Sequence, residues 1–595
     1  MSAPVEETRV RRVVSRAASL GRPLALRALG ALAVTFVATA ARLLGPLVVR
    51  SGIDDGMAAG NRWLVTQAAL VFLGLLAVQY VAQSRAQYWV ALLGERYLRL
   101  LRLTVFRHLT SLDMAFYGRS KAGVLVSRMT NDIESVQEFV EEGLISLAIN
   151  LLTIVGVGAA MLFIDTALAL QVLVLILVLV IVSWFFQRFA GRAYRQVRER
   201  IGRVLAALQE GIAGVRVVQA FTQEEEQAGA FGRVNEEYFE ANMRTARAIA
   251  WYFPAVNLLR LVGISLVLYL GGRRVISGDL TFGTLVSFLL YLDWFFQPIV
   301  YLANTYNQMQ SAAAALGKLF RLLDTKPAVA DEPGAEPLPD GVRGEIVFAG
   351  VGFEYEPGLP VLRDVDLRVA PGERVAIVGE TGAGKSTLAN LVLRFYDPSS
   401  GTVTIDGRDL RTVPQSSRAR HVVLIPQEGY LFNGTLRDNL RYARADADDD
   451  ELWQVCASLG IEDWVRQLPE RLDTLVRERG GRFSAGERQL VALARALLAD
   501  PAVIVFDEAT SNLDPETEAR VERALGTVLQ GRTAIVIAHR LRTAEHADRV
   551  VVVDGGRVVA IGSHAELVER SPQYARLVEV WQRGILKLGL AGEHF

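Results

Sequence analysis

The chain has 595 residues, room for several domains, and a single cysteine, Cys456, which excludes a disulfide framework and any cysteine-rich metal site. Lys plus Arg and Asp plus Glu balance at 64 each, so no global field draws the molecule to nucleic acid, and none is expected as a partner. Charged residues at 22% and a mean hydropathy of +0.26 are unusual for a wholly soluble protein and place part of the chain in lipid.

Arg9, Arg11, Arg12, Arg16 and Arg22 precede the first apolar span, with no short apolar core and cleavage site after them. The start therefore reads as an uncleaved membrane anchor. Six stretches, 24–49, 63–83, 144–164, 166–186, 249–270 and 282–303, each supply the roughly 20 apolar residues that a helix needs to cross about 30 Å of hydrocarbon. Pro46, Pro254 and Pro298 fall within them and are expected to be kinks. Only Asp165 and its neighbours part the third span from the fourth, which predicts a tight outer hairpin. The segments 95–128 and 188–247 are rich in arginine, whereas the loops near 50–62, 165 and 271–281 carry fewer positive charges. The positive-inside rule then puts the N-terminus, both long segments and the C-terminal half on the cytoplasmic side of the cell membrane.

Both long segments read as helices that outrun the bilayer. In 95–110, Leu98, Leu101, Val105 and Leu109 form one stripe, and Arg96, Arg99, Arg102 and Arg107 form a solvated one. Each extension is expected to break at a turn, at 116–123 and at 211–221. Arg42, Arg260 and Asp293 lie inside predicted spans, where charge is expensive and faces an interior or wet cavity. Asp293, beside Trp294, Phe295 and Phe296, has two readings: a substrate-pathway residue favouring cationic or amphipathic cargo, or a structural residue, paired with a cation such as Arg260 or placed near the membrane boundary.

After a proline-rich, acidic stretch at 326–340, strands and helices alternate with turn signals. The apolar run Arg374-Val375-Ala376-Ile377-Val378 leads into Gly379-Glu380-Thr381-Gly382-Ala383-Gly384-Lys385-Ser386 and then Thr387. This is the strand, glycine-rich loop and helix start of a phosphate-binding loop. Its amides cradle phosphate oxygens, Lys385 reaches the β- and γ-phosphates, and the Ser386 hydroxyl ligates magnesium. The strand at 503–506 ends in Asp507 and Glu508, placed to hold magnesium through water and to polarise the attacking water. Between them Phe483-Ser484-Ala485-Gly486-Glu487 opens a helix and forms a second anion site, one more than a single nucleotide needs.

With these motifs in hand, the chain resembles an ATP-binding cassette transporter along nearly its whole length, as a half-transporter of the exporter type. The carrying residues are GETGAGKS, FSAGE, VIVFDE, Gln427 in IPQE, Ser511-Asn512-Leu513-Asp514, His539 in IAHR and Tyr355 in GFEY. In the membrane half they are FYGRSKAGVLVSRMTNDI and GVRVVQAFTQEE, similar to the family's two coupling regions. The resemblance implies a multi-domain fold: an all-α transmembrane domain of six helices with long cytoplasmic extensions at 1–323, a linker at 324–342, and an α/β P-loop ATPase domain at 343–595. It implies ATP and Mg2+ as cofactors, with Tyr355 stacking on adenine. It makes Glu508, His539 and Gln427 catalytic, assigns magnesium to Ser386, Gln427 and Asp507, brings Ser484 and Gly486 to a partner chain's nucleotide, and counts Asp514 among the nucleotide-binding residues. A dimer follows, with a homodimer favoured and a heterodimer open.

One departure concerns FSAGE, where the family more often has LSGGQ. Glu487 has the wrong sign for phosphate, and its side chain is expected to point elsewhere. The implied activity is ATP-driven export of hydrophobic or amphipathic substrates by alternating access. An ATP-gated channel or regulatory membrane protein, or an importer of metal chelates, remains the alternative.

Overall fold

In hydrocarbon a backbone must satisfy its own polar groups, so long apolar runs close into helices. The computed structural model, which describes residues 13–590 except 14, 18, 508–513 and 539, follows this rule. The chain forms two compact units: Met1–Thr110 with Ala122–Thr325, and Ser111–Lys121 with Lys326–Phe595.

The first unit is helical. Its long helices are α1 (Ala25–Ser51), α2 (Arg62–Thr110), then α4 (Leu144–Ile164), α5 (Thr166–Ala213), α6 (Glu224–Ile276) and α7 (Phe282–Leu323), with α3 (Met114–Arg119) belonging to the second unit. They occupy the six expected stretches. Among the described residues five helical stretches are long and apolar enough to cross a membrane, and α7 contributes the shorter apolar run Phe282–Phe296. Pro46, Pro254 and Pro298 sit inside continuous helices. Helix α1 buries small residues, among them Ala31, Ala38, Ala41 and Gly45, and exposes Leu26, Leu29, Leu32 and Phe36. That inversion of a soluble helix suits a lipid surround, where close backbone approach drives packing. The core centres on Phe288, Tyr291 and Leu292 of α7, and the Tyr291 hydroxyl donates to Leu43 O at 2.5 Å. Along the extension of α2, Leu98, Leu101 and Val105 are fully buried while the arginine stripe faces out.

The expected turn at 116–123 is a helix first and a break second. Asp113 caps α3 by accepting from Phe116 N at 2.9 Å, and the chain opens only at Ser120. The second extension runs to Ala213, pivots at Gly214 into the helix Val215–Ala220, and turns at Thr222, whose φ is +54°.

The second unit holds two sheets. Strands β1 (Ile346–Glu354), β2 (Pro360–Val369), β4 (Ser400–Ile405) and β5 (Arg408–Asp409) form an antiparallel sheet in the order β2-β1-β4-β5. Strands β3 (Arg374–Val378), β6 (Val422–Ile425), β7 (Val503–Asp507), β8 (Thr533–Ile537), β9 (Arg549–Asp554) and β10 (Arg557–Gly562) form the other, in the order β10-β9-β3-β8-β7-β6. From β9 to β6 its pairings are parallel. Strand β8 is buried throughout and β3 and β7 nearly so, which is why they read as unbroken apolar runs. Cys456 packs in the core beneath this sheet, and burial pushes its thiol up to about 11.

The proline-rich stretch is irregular but not a free tether. Val329 and Leu338 are buried, Leu338 N donates to Ser417 Oγ, and Asp331 accepts from Gln415 N. Arg394, itself buried, donates to Ala330 O and Val413 O and pairs with Asp397 at 3.1 Å.

Candidate functional site

Parallel strands deliver their C-terminal ends to one edge of a sheet, and ligands bind there. The register puts Ile377 level with Ile537, Ile537 level with Asp507, and Phe506 level with Ile425. The loop after β3, Asp507 at the tip of β7, the residues after β6 and those after β8 therefore emerge together. About 10 Å, two strand spacings, separates the first from the second.

The loop after β3 is shaped by close contact. A Cβ at Gly379 would lie 2.1 Å from Val553 O, so only glycine lets the chain pass that strand. Gly384, at φ +105°, turns it into the helix Lys385–Val392, α8, as N-cap. The first amides of α8 are thus presented toward the cavity edge, as an anion requires. Lys385 is 6% exposed and its Nζ donates to Gly379 O at 2.8 Å and Glu380 O at 2.9 Å. Burial lowers its pKa, with Asp507 opposing, so an incoming anion would be met by a poorly solvated cation.

A cavity of about 330 Å³ is lined by Ser386, Asn390, Gln427, Glu428 and Asp507 among others. Three residues proposed from sequence as magnesium ligands, Ser386, Gln427 and Asp507, are brought to it. Glu428 is a second carboxylate there that the sequence reading passed over; its only signal is adjacency to Gln427. Hard oxygen donors grouped beside a phosphate cradle fit Mg2+ and a nucleotide triphosphate. Glu508 and His539 lie outside the described residues, as do Ser511, Asn512 and Leu513.

Tyr355 follows β1 directly. Its ring meets Phe353 and Tyr396 edge-on, at 4.7 and 5.1 Å, and its hydroxyl lies 3.2 Å from Thr387 Oγ1 in α8. Arg119 of α3 donates to Tyr355 O at 3.2 Å, and Asp113 accepts from Ala328 N and Val329 N. The short helix α3 is thus held at both ends, by the backbone of Ala328 and Val329 and by that of Tyr355.

Ser484 opens α9 (Ala485–Ala499) with a reciprocal cap: its Oγ accepts from Glu487 N at 3.2 Å, and Glu487 accepts from Ser484 N at 2.7 Å. Trp464 Nε1 donates to the other Glu487 oxygen at 2.7 Å, and Phe483 packs edge-on against the same indole at 5.5 Å. Two of the three departures from the family pattern, Phe483 and Glu487, thus meet at Trp464, and both Glu487 carboxylate oxygens are engaged within the unit. Asp514 is likewise an N-cap, accepting from Thr517 N at 2.9 Å for α10 (Pro515–Leu529).

In the membrane unit, Arg260 Nη1 lies 2.6 Å from Asp293 Oδ1. Arg42 stacks over Trp294 at 4.7 Å.

A helical unit with spans of membrane length, joined in one chain to a parallel sheet that ends in a phosphate loop, defines a membrane transporter powered by ATP. Residues 29–299 match the model of the ABC transporter transmembrane region, and residues 362–511 match the ABC transporter model. The chain is 35% identical over 544 residues to the uncharacterized ABC transporter ATP-binding protein YknV of Bacillus subtilis (strain 168), covering 91% of this chain and 90% of that one. It is 33% identical over 570 residues to the ATP-dependent lipid A-core flippase of Syntrophus aciditrophicus (strain SB), covering 95% and 94%. With the multidrug efflux ATP-binding/permease protein of Mycobacterium bovis (strain BCG / Pasteur 1173P2) it shares 38% over 556 residues, 93% of this chain but 46% of that protein, so it spans about half of its length. The solved structure of a bacterial Atm1-family ABC exporter with ATP bound superposes with a TM-score of 0.77 at 29% identity, covering 94% of this chain and 98% of that one. The chain belongs to the ABC transporter family, as an ATP-hydrolysing half-transporter of the exporter type.

Proposed function

We propose that two copies of this chain pair to export amphipathic compounds across the cell membrane, with the nucleotide-binding unit in the cytoplasm. Each ATP is bound by the phosphate loop of one copy and by Ser484 and Gly486 of the other. The observation that carries this reading is the convergence of Ser386, Gln427 and Asp507 on one cavity beside the Gly379–Lys385 cradle.

The roles follow from chemistry. Lys385 leaves two carbonyls to meet the β- and γ-phosphates, and the buried setting makes the exchange favourable. Mg2+, held by Ser386, Gln427 and Asp507, would offset the phosphate charge during transfer. Glu508 orients the attacking water, His539 contacts the γ-phosphate, and Tyr355 stacks on adenine. Asp514 acts by fixing the start of α10. Closure around ATP and reopening after hydrolysis reach the membrane helices through α3 and the helix Val215–Ala220, because ATP binds the two states with different affinity.

ATP-driven flux tests the proposal. Inverted vesicles carrying the chain should accumulate a fluorescent amphiphile when given ATP and magnesium, and Glu508→Gln should hold ATP yet transport nothing. Dissipation of a preset gradient without accumulation would instead establish a gated channel, and uptake in the opposite sense an importer.

A further inference from the structure

We propose that the membrane unit holds a subsite for a carboxylate group carried on an amphiphile, between α1, α2 and α4, with Arg42 as its cation. The inference deepens the export reading, on which it rests for the amphiphile being cargo.

The cavity measures about 40 Å³ and is lined by Arg42, Gln79, Gln83, Gln87 and Thr153 among others. Arg42 lies inside the first apolar span and Gln79 inside the second, so the cation sits among membrane helices, where charge is expensive. A cation there needs a partner. Asp293 pairs with Arg260 at 2.6 Å and acts on Arg42 only from beyond ion-pair distance, so among the described residues no carboxylate forms a salt bridge with Arg42. Trp294 covers one face of the guanidinium, leaving the in-plane N–H donors for a ligand.

Thr153 supplies a second, independent sign. It is 1% exposed, and its Oγ1 has no hydrogen-bond partner. The other hydroxyls at the cavity, Thr35 and Thr39, are spent on Ala31 O and Thr35 O. A buried polar group left unpaired costs free energy that a ligand oxygen recovers. Gln79, Gln83 and Gln87 recur every fourth residue on α2 and set their amides along one face. No acidic side chain lines the cavity, so the complement of this lining is an anion. The space is small, and the in-plane donors of a guanidinium pair side by side with the two oxygens of a planar carboxylate. Ile145 and Ile149 line the same cavity and offer contact to the first carbons of an apolar tail.

Calorimetric binding to the full chain in nanodiscs of zwitterionic lipid, without nucleotide, tests the subsite. Decanoate should bind at least about tenfold more tightly than decanol or decylammonium, with decyl phosphate and acetate weaker than decanoate. Arg42→Gln should erase the preference for decanoate over decanol. Thr153→Val should reduce decanoate affinity about tenfold and leave decanol unchanged. Equal binding of decanoate and decanol, or an undiminished preference in Arg42→Gln, overturns the subsite. Tighter decyl phosphate overturns the carboxylate assignment, and acetate as tight as decanoate overturns the amphiphile. If Arg42→Gln does not fold, an unchanged decanoate affinity in Thr153→Val overturns the subsite on its own. No hydrolysis is involved, so failure here leaves ATP-driven export standing, whereas failure of export would show as absent flux with binding intact.

Discussion

At the level of single residues, the two ends of the phosphate chemistry differ in what the chain invests. Among the described residues, the charge of Lys385, itself 6% exposed, is answered by two carbonyls and Asp507, so removing it removes attraction rather than structure. Lys385→Ala should weaken ATP binding by at least about tenfold, read by titration with a fluorescent nucleotide analogue, while the chain stays folded. Glu487 is the opposite case: its carboxylate holds the cap of α9 and the Trp464 indole. Glu487→Ala should cost about 1 kcal/mol of unfolding stability, and Glu487→Gln much less, because the amide oxygen still accepts. Equal melting of Glu487→Ala and the parent chain would remove this reading. Sequence alone showed that a carboxylate at 487 would avoid phosphate. The Trp464 partner was hidden, because a contact spanning 23 residues leaves no local pattern.

Among elements, the caps and the short helices decide how the chemistry is delivered. The helix α3 escaped the sequence reading because Gly118 and Gly123 look like turn residues, although Asp113 three places before Phe116 is an N-cap signal. The proline-rich stretch looked like a tether for a similar reason: its docking depends on Arg394, Gln415 and Ser417, all far away in sequence. The strands and the phosphate loop were legible, since burial on both faces and glycine spacing are local properties. Asp113→Ala removes the α3 cap and the acceptor for Ala328 N and Val329 N together. It should leave ATP binding intact while reducing the stimulation of ATPase by a transported amphiphile. Caps also set the acid limit. Hydrogen bonds from Thr517 N to Asp514 and from Ser563 N to Glu566 lower both pKa values below the ordinary carboxylate range. A depressed carboxylate stabilises the fold above its unfolded pKa, near 4, and that contribution vanishes as pH falls through the folded value. Melting temperature should therefore be flat with pH near neutrality and fall below about pH 4, less steeply in a chain carrying Asp514→Asn and Glu566→Gln.

For the whole molecule, a surplus anion site on one chain makes sense only if another copy uses it. Ser484 and Ala485 are exposed at the start of α9, beside a buried Gly486, and α9 belongs to the same unit as the phosphate loop. The helical unit takes in about half of the chain by length, so a proposed nucleotide shared between copies has a membrane unit on which to act. The central claim is that each ATP is held by the loop of one copy and the serine of the other. Its most direct test is complementation in proteoliposomes between chains carrying Lys385→Ala and chains carrying Ser484→Arg. Each variant alone should be nearly inactive as an ATPase, and the mixture should recover activity, because one of the two shared sites in a mixed pair is then intact on both sides. A mixture no more active than its components, with mixed pairs demonstrated by affinity tags, would contradict the account.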